Sequence, residues 1–275
     1  MNSEASTFFQ EKLSAPLAAI GVIPARYGSQ RLPGKPLLRT GGKTLLQHTW
    51  ENSLRFGCDQ LFILTDDDRV IQEALSFGAQ AIKTPKEARH GTERIAYAVA
   101  HGWLPRAELV INIQGDEPHL PPHVPQKLIQ ELHRHRSPQG AIATAVAPMG
   151  SLEEAERPSV VKCVRDRAGR ALYFSREMIP HWRRDNSSVA PTYWRHLGVY
   201  GYQWEFLEHF LELEPTPLEQ SEGLEQLLFL EHGYTIWTVE VETTGMGIDT
   251  PEDWEVFKAL CIANISSSQG ASAPL

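Results

Sequence analysis

The stretch LAAIGVIPARYGSQRLPGKPL (17–37) decides the fold. Its first seven residues form a continuous apolar run, the pattern of a strand covered on both faces. A polar loop follows, and TLLQHTWENSLRF (44–56) then lays Leu45, Leu46, Thr49, Trp50, Ser53 and Leu54 along one helical stripe before Gly57. Strand, loop and helix in this order predict a β-loop-α start. The loop holds Arg26, Arg31 and Lys35 among Gly28, Gly34, Pro24, Pro33 and Pro36. Glycines let backbone approach a ligand, prolines stiffen its path, and clustered cations with free amides suit a polyphosphate. A solvated basic loop is the bland alternative, but the carboxyl end of a first strand is where α/β folds bind ligands.

Outward from this start the same alternation continues. QLFILT (60–65), AQAIK (79–83), ELVINI (108–113) and AIATAVA (141–147) read as strands, separated by helices over 66–78, 91–102 and 124–135. The pattern predicts an α/β fold, a mostly parallel sheet with helices on both faces. From 150 to 203 the strand-like pieces VVKCVRD, RALYFS and HLGVYGYQ predict an inserted β-rich lobe, with the loop HWRRDNSSVAPTYWR (181–195) given no role. Helices over 204–213 and 221–233, a strand over 234–241 and a helix over 250–263, capped by Thr250 with Pro251 in its first position, complete the chain. Residues 1–16 and 265–275 are expected to be mobile ends of a single domain, 17–264.

Composition narrows the function. With 275 residues and 41% hydrophobic content the chain can bury a large core, and a net charge of −8 argues against nucleic acid or membrane-surface partners. Cys58, Cys163 and Cys261 are too dispersed for a metal or redox pair, which with the absence of a leader-like or spanning segment predicts a cytoplasmic protein. GGKT (41–44) resembles the end of a P-loop, but Leu37 stands where that motif requires glycine, and no G-x-G-x-x-G follows the first strand. The histidine pairs His119/His123 and His133/His135 lack a nearby third ligand for zinc.

A longer set of motifs is specific. IPARYGSQRLPGKPL (23–37), TDDDRV (65–70), GTERIA (91–96), VINIQGDEP (110–118), ALYFSR (171–176), RHLGVYGY (195–202), PLEQSEGLEQL (217–227) and GIDTPEDWE (247–255) occur in the order found in the 3-deoxy-manno-octulosonate (Kdo) cytidylyltransferases, and by them the chain resembles that family. The resemblance implies a nucleotide-diphospho-sugar transferase (Rossmann-like) fold, CTP and Kdo as substrates, Mg²⁺ as cofactor, a role in lipopolysaccharide synthesis and a homodimer built through the 150–203 lobe. The anomeric hydroxyl would attack the α-phosphorus of CTP in line with departing pyrophosphate, a step that asks for positioning and charge neutralisation.

By the same resemblance Arg26 and Lys35 hold the triphosphate, with Gly28 and Gly91 beside the nucleotide. Asp116 and Asp249 bind Mg²⁺, and Gln114 faces both substrates. Arg94 is expected at the phosphates or the sugar acid, and Arg176, His196, Tyr200, Glu222 and Gln226 at the sugar. Glu222 and Gln226, four apart, are expected on one helix face. Three positions depart from the family pattern: His90 for serine, Gln30 for serine or threonine, and Leu228 for arginine. A related enzyme for a sialic-type acid, or a non-catalytic sugar-nucleotide sensor, are the competing readings.

Overall fold

The computed structural model describes residues 17–28, 31–88, 90–183, 191–242 and 247–270. The expected start is present: β1 (Leu17–Pro24) leads through the basic loop and a small hairpin, β2 (Arg39–Thr40) and β3 (Lys43–Thr44), to α1 (Leu45–Ser53). Thr44 caps α1, its hydroxyl accepting from the Gln47 amide at 3.2 Å. Then come β4 (Gln60–Thr65), α2 (Asp68–Ser76), β5 (Gln80–Lys83), α3 (Gly91–Ala100), β6 (Ala107–Asn112), α4 (His123–Arg134) and β7 (Ile142–Pro148). The second half contains α5 (Leu152–Glu156), β8 (Lys162–Arg165), β9 (Ala171–Ser175), β10 (Trp194–Gln203), α6 (Trp204–His209), α7 (Pro217–Glu222), α8 (Glu225–Glu231), β11 (Ile236–Glu240) and α9 (Pro251–Gly270).

The main sheet runs β11-β7-β10-β6-β1-β4-β5. Its pairings are parallel except at β10, which lies antiparallel between β6 and β7. The chain leaves β1 toward β4 on one side and returns to β6 on the other, so the carboxyl ends of β1 and β6 flank a topological switch point. Because β10 runs the other way, its first residues arrive at that same edge. Apolar residues of α1, α2 and α4 cover one face of the sheet, and those of α3, α6 and α8 the other. A third cluster, Leu32, Leu45, Ile248, Trp254 and Phe257, binds α9 to the basic loop and α1.

Three expectations change. Of the pieces read as an inserted lobe, β8 and β9 form a hairpin that meets the main sheet at the start of β10 and, by a single bridge from Arg170 to Trp237, at β11, whereas β10 itself joins the centre of the sheet. The helix expected over 221–233 is broken: Gly223 closes α7 at φ 61°, a left-handed conformation that costs glycine little, and Leu224 is extended before α8. The last helix continues to Gly270, because the serines and glutamine after Ile265 carry only a modest helical penalty and no proline interrupts them. Residues 1–16, 271–275, Gln30 and residues 184–190 of the 181–195 loop lie outside the described residues. Among the described residues no helix is long and apolar enough to cross a membrane.

Candidate active site

The basic loop folds back on itself, the Gly34 amide donating to the Tyr27 carbonyl at 3.2 Å. Gly34 sits at φ 67°, and this reversal starts the 3₁₀ turn Lys35–Leu37, stiffened by Pro36. The turn aims Lys35 at the sheet edge. Its Nζ donates to Asp116 Oδ2 at 2.5 Å, to the Ile248 carbonyl at 2.7 Å and to Asp249 Oδ1 at 3.0 Å. Asp116 follows β6 and Asp249 precedes α9, two segments held together by the Ile248 amide donating to the Asp116 carbonyl at 2.9 Å. The two carboxylates, remote in sequence, therefore share one ammonium.

The N-terminus of α9 keeps Asp249 in place without using its carboxylate. Thr250 Oγ1 accepts from the Asp253 amide at 3.2 Å, and Asp253 Oδ2 accepts from the amides of Asp249 and Thr250 at 3.0 and 2.9 Å. Thr250 thus takes the capping role, as its place in the sequence predicts. Asp249 Oδ1 also meets Arg31 Nη2 at 3.1 Å.

Around this junction the cleft has two halves. One, of about 360 Å³, is lined by Arg26, Gly28, Lys35, His90 and Gly91. The other, of about 650 Å³, is lined by Glu117, Val160, Arg195, His196, Tyr200 and Gln226. Arg31, Gln114, Asp116 and Asp249 border both. Gln114 Nε2 donates to the Gly198 carbonyl at 2.9 Å, tying the end of β6 to the start of β10. Tyr200 OH donates to Gln226 Oε1 at 3.3 Å. His196 Nε2 is 2.9 Å from Thr144 Oγ1, and burial pushes its pKa down to about 3, so the ring is neutral. Glu117 is pushed up to about 8, by burial first and by the Asp116 charge beside it, against the pull of Arg195 and Lys35.

Arg26, Gly28, Lys35, Gly91, Gln114, Asp116, His196, Tyr200, Gln226 and Asp249 therefore converge as expected. Three residues do not. Arg94 is 0% exposed and turns away from the cleft, donating to Thr84 Oγ1 and meeting Asp66 Oδ1 at 3.2 Å, because its position on α3 faces the ends of β4 and β5. Arg176 spends its guanidinium on main-chain carbonyls, Nε donating to Glu222 at 2.8 Å, Nη1 to Pro158 at 3.3 Å and Nη2 to Gly223 at 3.4 Å. Glu222 accepts from Ser175 Oγ at 2.6 Å and the Arg176 amide at 3.0 Å. With the break at Gly223, Glu222 and Gln226 lie on separate helices, so the shared face expected of them does not form. Of the departures, His90 lines the half beside Arg26 and Lys35, and Leu228 is buried in the core.

Glu117 and Arg195 were not singled out in the sequence, although both adjoin residues that were. The signal was adjacency within QGDEP and RHLGVYGY, which cannot tell which neighbour faces inward.

An α/β sheet that opens a two-part cleft at its switch point is built to hold ligands there, and the relatives of this chain are nucleotidyltransferases. The family model described as Cytidylyltransferase matches residues 20–236. The 3-deoxy-manno-octulosonate cytidylyltransferase of Protochlamydia amoebophila is 44% identical over 249 residues, 89% of this chain and 95% of the relative. The protein named 3-deoxy-manno-octulosonate cytidylyltransferase, mitochondrial, of Arabidopsis thaliana is 39% identical over 88% of this chain and 82% of its own. A solved structure of CMP:2-keto-3-deoxy-manno-octonic acid synthetase complexed with CTP superposes with a TM-score of 0.82 at 40% identity, covering 90% of this chain and 99% of that one. The chain belongs to the 3-deoxy-manno-octulosonate cytidylyltransferase family. A glucose-1-phosphate thymidylyltransferase of Bacillus anthracis, at 14% identity and TM-score 0.61, shares the fold alone.

Proposed function

We propose that this chain joins CTP to Kdo, giving CMP-Kdo and pyrophosphate. The observation that carries the reading is the Lys35 ammonium held between Asp116 and Asp249 where the two halves of the cleft meet. In this reading the half beneath Arg26, Gly28 and Gly91 takes the nucleotide. Arg26 and Lys35 neutralise the triphosphate, whose oxygens also meet the loop amides. The other half takes the sugar acid, with neutral His196, Tyr200 and Gln226 offered to its hydroxyls. Gln114, bordering both halves and carrying both donor and acceptor, aligns the two substrates. The anomeric oxygen bonds to the α-phosphorus as the bond to the pyrophosphate oxygen breaks, and the hydroxyl proton passes to solvent. Arg94, Arg176 and Glu222, as placed, take no direct part.

The donor set fits Mg²⁺. Asp116 and Asp249 supply hard carboxylate oxygens close enough to share one ammonium, and such ions are commonly held by one or two carboxylates with phosphate oxygens and water. When bound there, the ion would neutralise phosphate charge and orient the α-phosphoryl group. A cytoplasmic homodimer working in lipopolysaccharide synthesis completes the proposal, on the family resemblance.

The test is pyrophosphate release with CTP against UTP and with Kdo against N-acetylneuraminate, followed by identification of the product. Turnover confined to CTP and Kdo supports the reading. Turnover only with the sialic-type acid transfers the function to that substrate, and no release with any acid leaves the sensor reading in its place.

A further inference from the structure

Lys162 opens β8 and is 0% exposed, one of the largest fully buried side chains of the protein. Its Nζ donates to the carbonyls of Val160 at 2.8 Å, Arg157 at 3.0 Å and Arg176. The three acceptors are all main chain. A neutral amine has two N–H donors and an ammonium three, so the cradle selects the charged form. Burial pulls the other way and lowers the Lys162 pKa, with the charge on Arg176 adding to this and those on Glu177 and Glu222 opposing it. Burying an ammonium where an apolar chain would fit is costly unless its hydrogen bonds are satisfied, and here all three are.

What the cradle holds is a wall of the cleft. Ser159, Val160 and Val161 line the half assigned to the sugar acid and none of them borders the nucleotide half. This segment lies between α5 and β8 without regular structure, so only discrete ties fix it. One is the His196 amide, donating to the Val161 carbonyl at 2.8 Å. Another is Arg176 Nη1, on Pro158. The Lys162 ammonium is the tie that grips the segment at two points, Arg157 and Val160, and joins it to the Arg176 backbone.

We propose that Lys162 is a positioning residue for the sugar half of the cleft: its ammonium locks the 157–161 wall to the chain at Arg176 and so sets affinity for the sugar acid and not for the nucleotide. The inference rests on the assignment of the two halves given above.

Lys162→Met, which fills the space without the charge, and Lys162→Ala, which empties it, test the idea. KM for Kdo should rise at least about tenfold in both, since small displacements of substrate-positioning groups carry large penalties. The dissociation constant for CTP, titrated without sugar, should stay within about twofold of wild type. Added n-propylammonium, which matches the atoms from Cγ to Nζ that Lys162→Ala removes, should bring KM for Kdo back toward wild type in that variant and leave it unchanged in Lys162→Met, a difference that general loss of stability does not produce. Wild-type KM for Kdo in Lys162→Met, equal weakening of CTP and Kdo, or rescue of neither variant would each overturn the proposal. Should both variants fail to fold, hydrogen exchange on the wild-type enzyme decides: amides of 157–161 protected without ligand support it, and exchange at the rate of a free loop refutes it. A wild type that turns over a different sugar acid overturns the proposed function instead, and the same comparison is then made with that acid.

Discussion

Replacing Lys35 by methionine keeps the unbranched stem of the side chain and removes its charged end, which makes it the sharpest probe of the junction. The ammonium has three acceptors, two of them carboxylates, and its side chain is 13% exposed. Hydrogen bonds to charged groups contribute about 1.5–3 kcal/mol each when buried. The Asp116 and Asp249 side chains are 24% and 44% exposed, so water recovers much of what they lose, and the exposed ion pair contributes little. We therefore expect a net loss of about 2 kcal/mol in the ligand-free protein, a Tm lower by roughly 4–8 °C for a domain of this size. This differs from the expectation for a lysine on a free loop, whose removal would leave stability untouched. Turnover should fall by about 10²–10³, the loss typical of one preorganised donor to developing charge. The informative assay is Tm against Mg²⁺ concentration without nucleotide. Two carboxylates deprived of their lysine should take the ion more readily, so Mg²⁺ should raise the Tm of the variant more than that of wild type. An unchanged Tm, with the same Mg²⁺ response in both proteins and unaltered CTP kinetics, would refute the bridging role.

Asp116→Asn and Asp249→Asn should each lower turnover by at least about 10²-fold in pyrophosphate release. Simple crowding of two carboxylates predicts a gain in ligand-free Tm, but Lys35 already compensates them, so calorimetry should show a small decrease. Tyr200→Phe removes the donor to Gln226 and should raise KM for the sugar acid about three- to tenfold while CTP binding, followed by titration, stays constant. Glu225 accepts from Thr92 Oγ1 at 2.8 Å, its Oε1 is buried without a hydrogen-bond partner, and burial raises its pKa to about 7. A carboxyl raised on folding contributes stability that is complete below its unfolded value and lost as pH climbs through the folded one. Tm of the wild type should therefore decline between about pH 4.5 and 7 relative to Glu225→Gln, and parallel curves for the two would contradict that account.

Much of this was legible in the sequence because period and punctuation encode it. Apolar runs of strand length, helical stripes and the glycines between them encode the alternation, and the charge and backbone freedom of IPARYGSQRLPGKPL point to a loop that the structure sets at the cleft. What stayed hidden was direction. HLGVYGYQ reads as a strand whichever way it runs, and nothing local says that it enters the centre of the sheet antiparallel. Arg94 and Arg176 carry the charge a phosphate or carboxylate binder needs, yet Asp66 and Thr84 capture one while the carbonyls of Pro158, Glu222 and Gly223 capture the other. Apart from Thr84, ten residues from Arg94, those partners are distant in the chain, so no short window of sequence contains the whole competition. Gly223 was visible, but a lone glycine in a helical pattern is often tolerated, and only packing shows that it ends α7. Lys162 left a fainter trace, a cation amid V-V-K-C-V, where an apolar residue would be usual.

The reversed strand has an evolutionary corollary. Because β10 begins at the edge where β1 and β6 finish, the cleft is assembled largely from two stretches of chain that come together at that edge. The first 116 residues supply most of the half beside Arg26 and Lys35, while residues 159–161, 195–200 and 224–226 supply most of the other. Changes in the second stretch can accumulate without touching the loop that carries Arg26 and Lys35. Grafting the segment from Ser151 to Gln226 out of a relative should exchange one acceptor preference for another and leave the donor nucleotide as it was. In such a design the sheet is a chassis, and the substrates are inherited from separate parts of the chain.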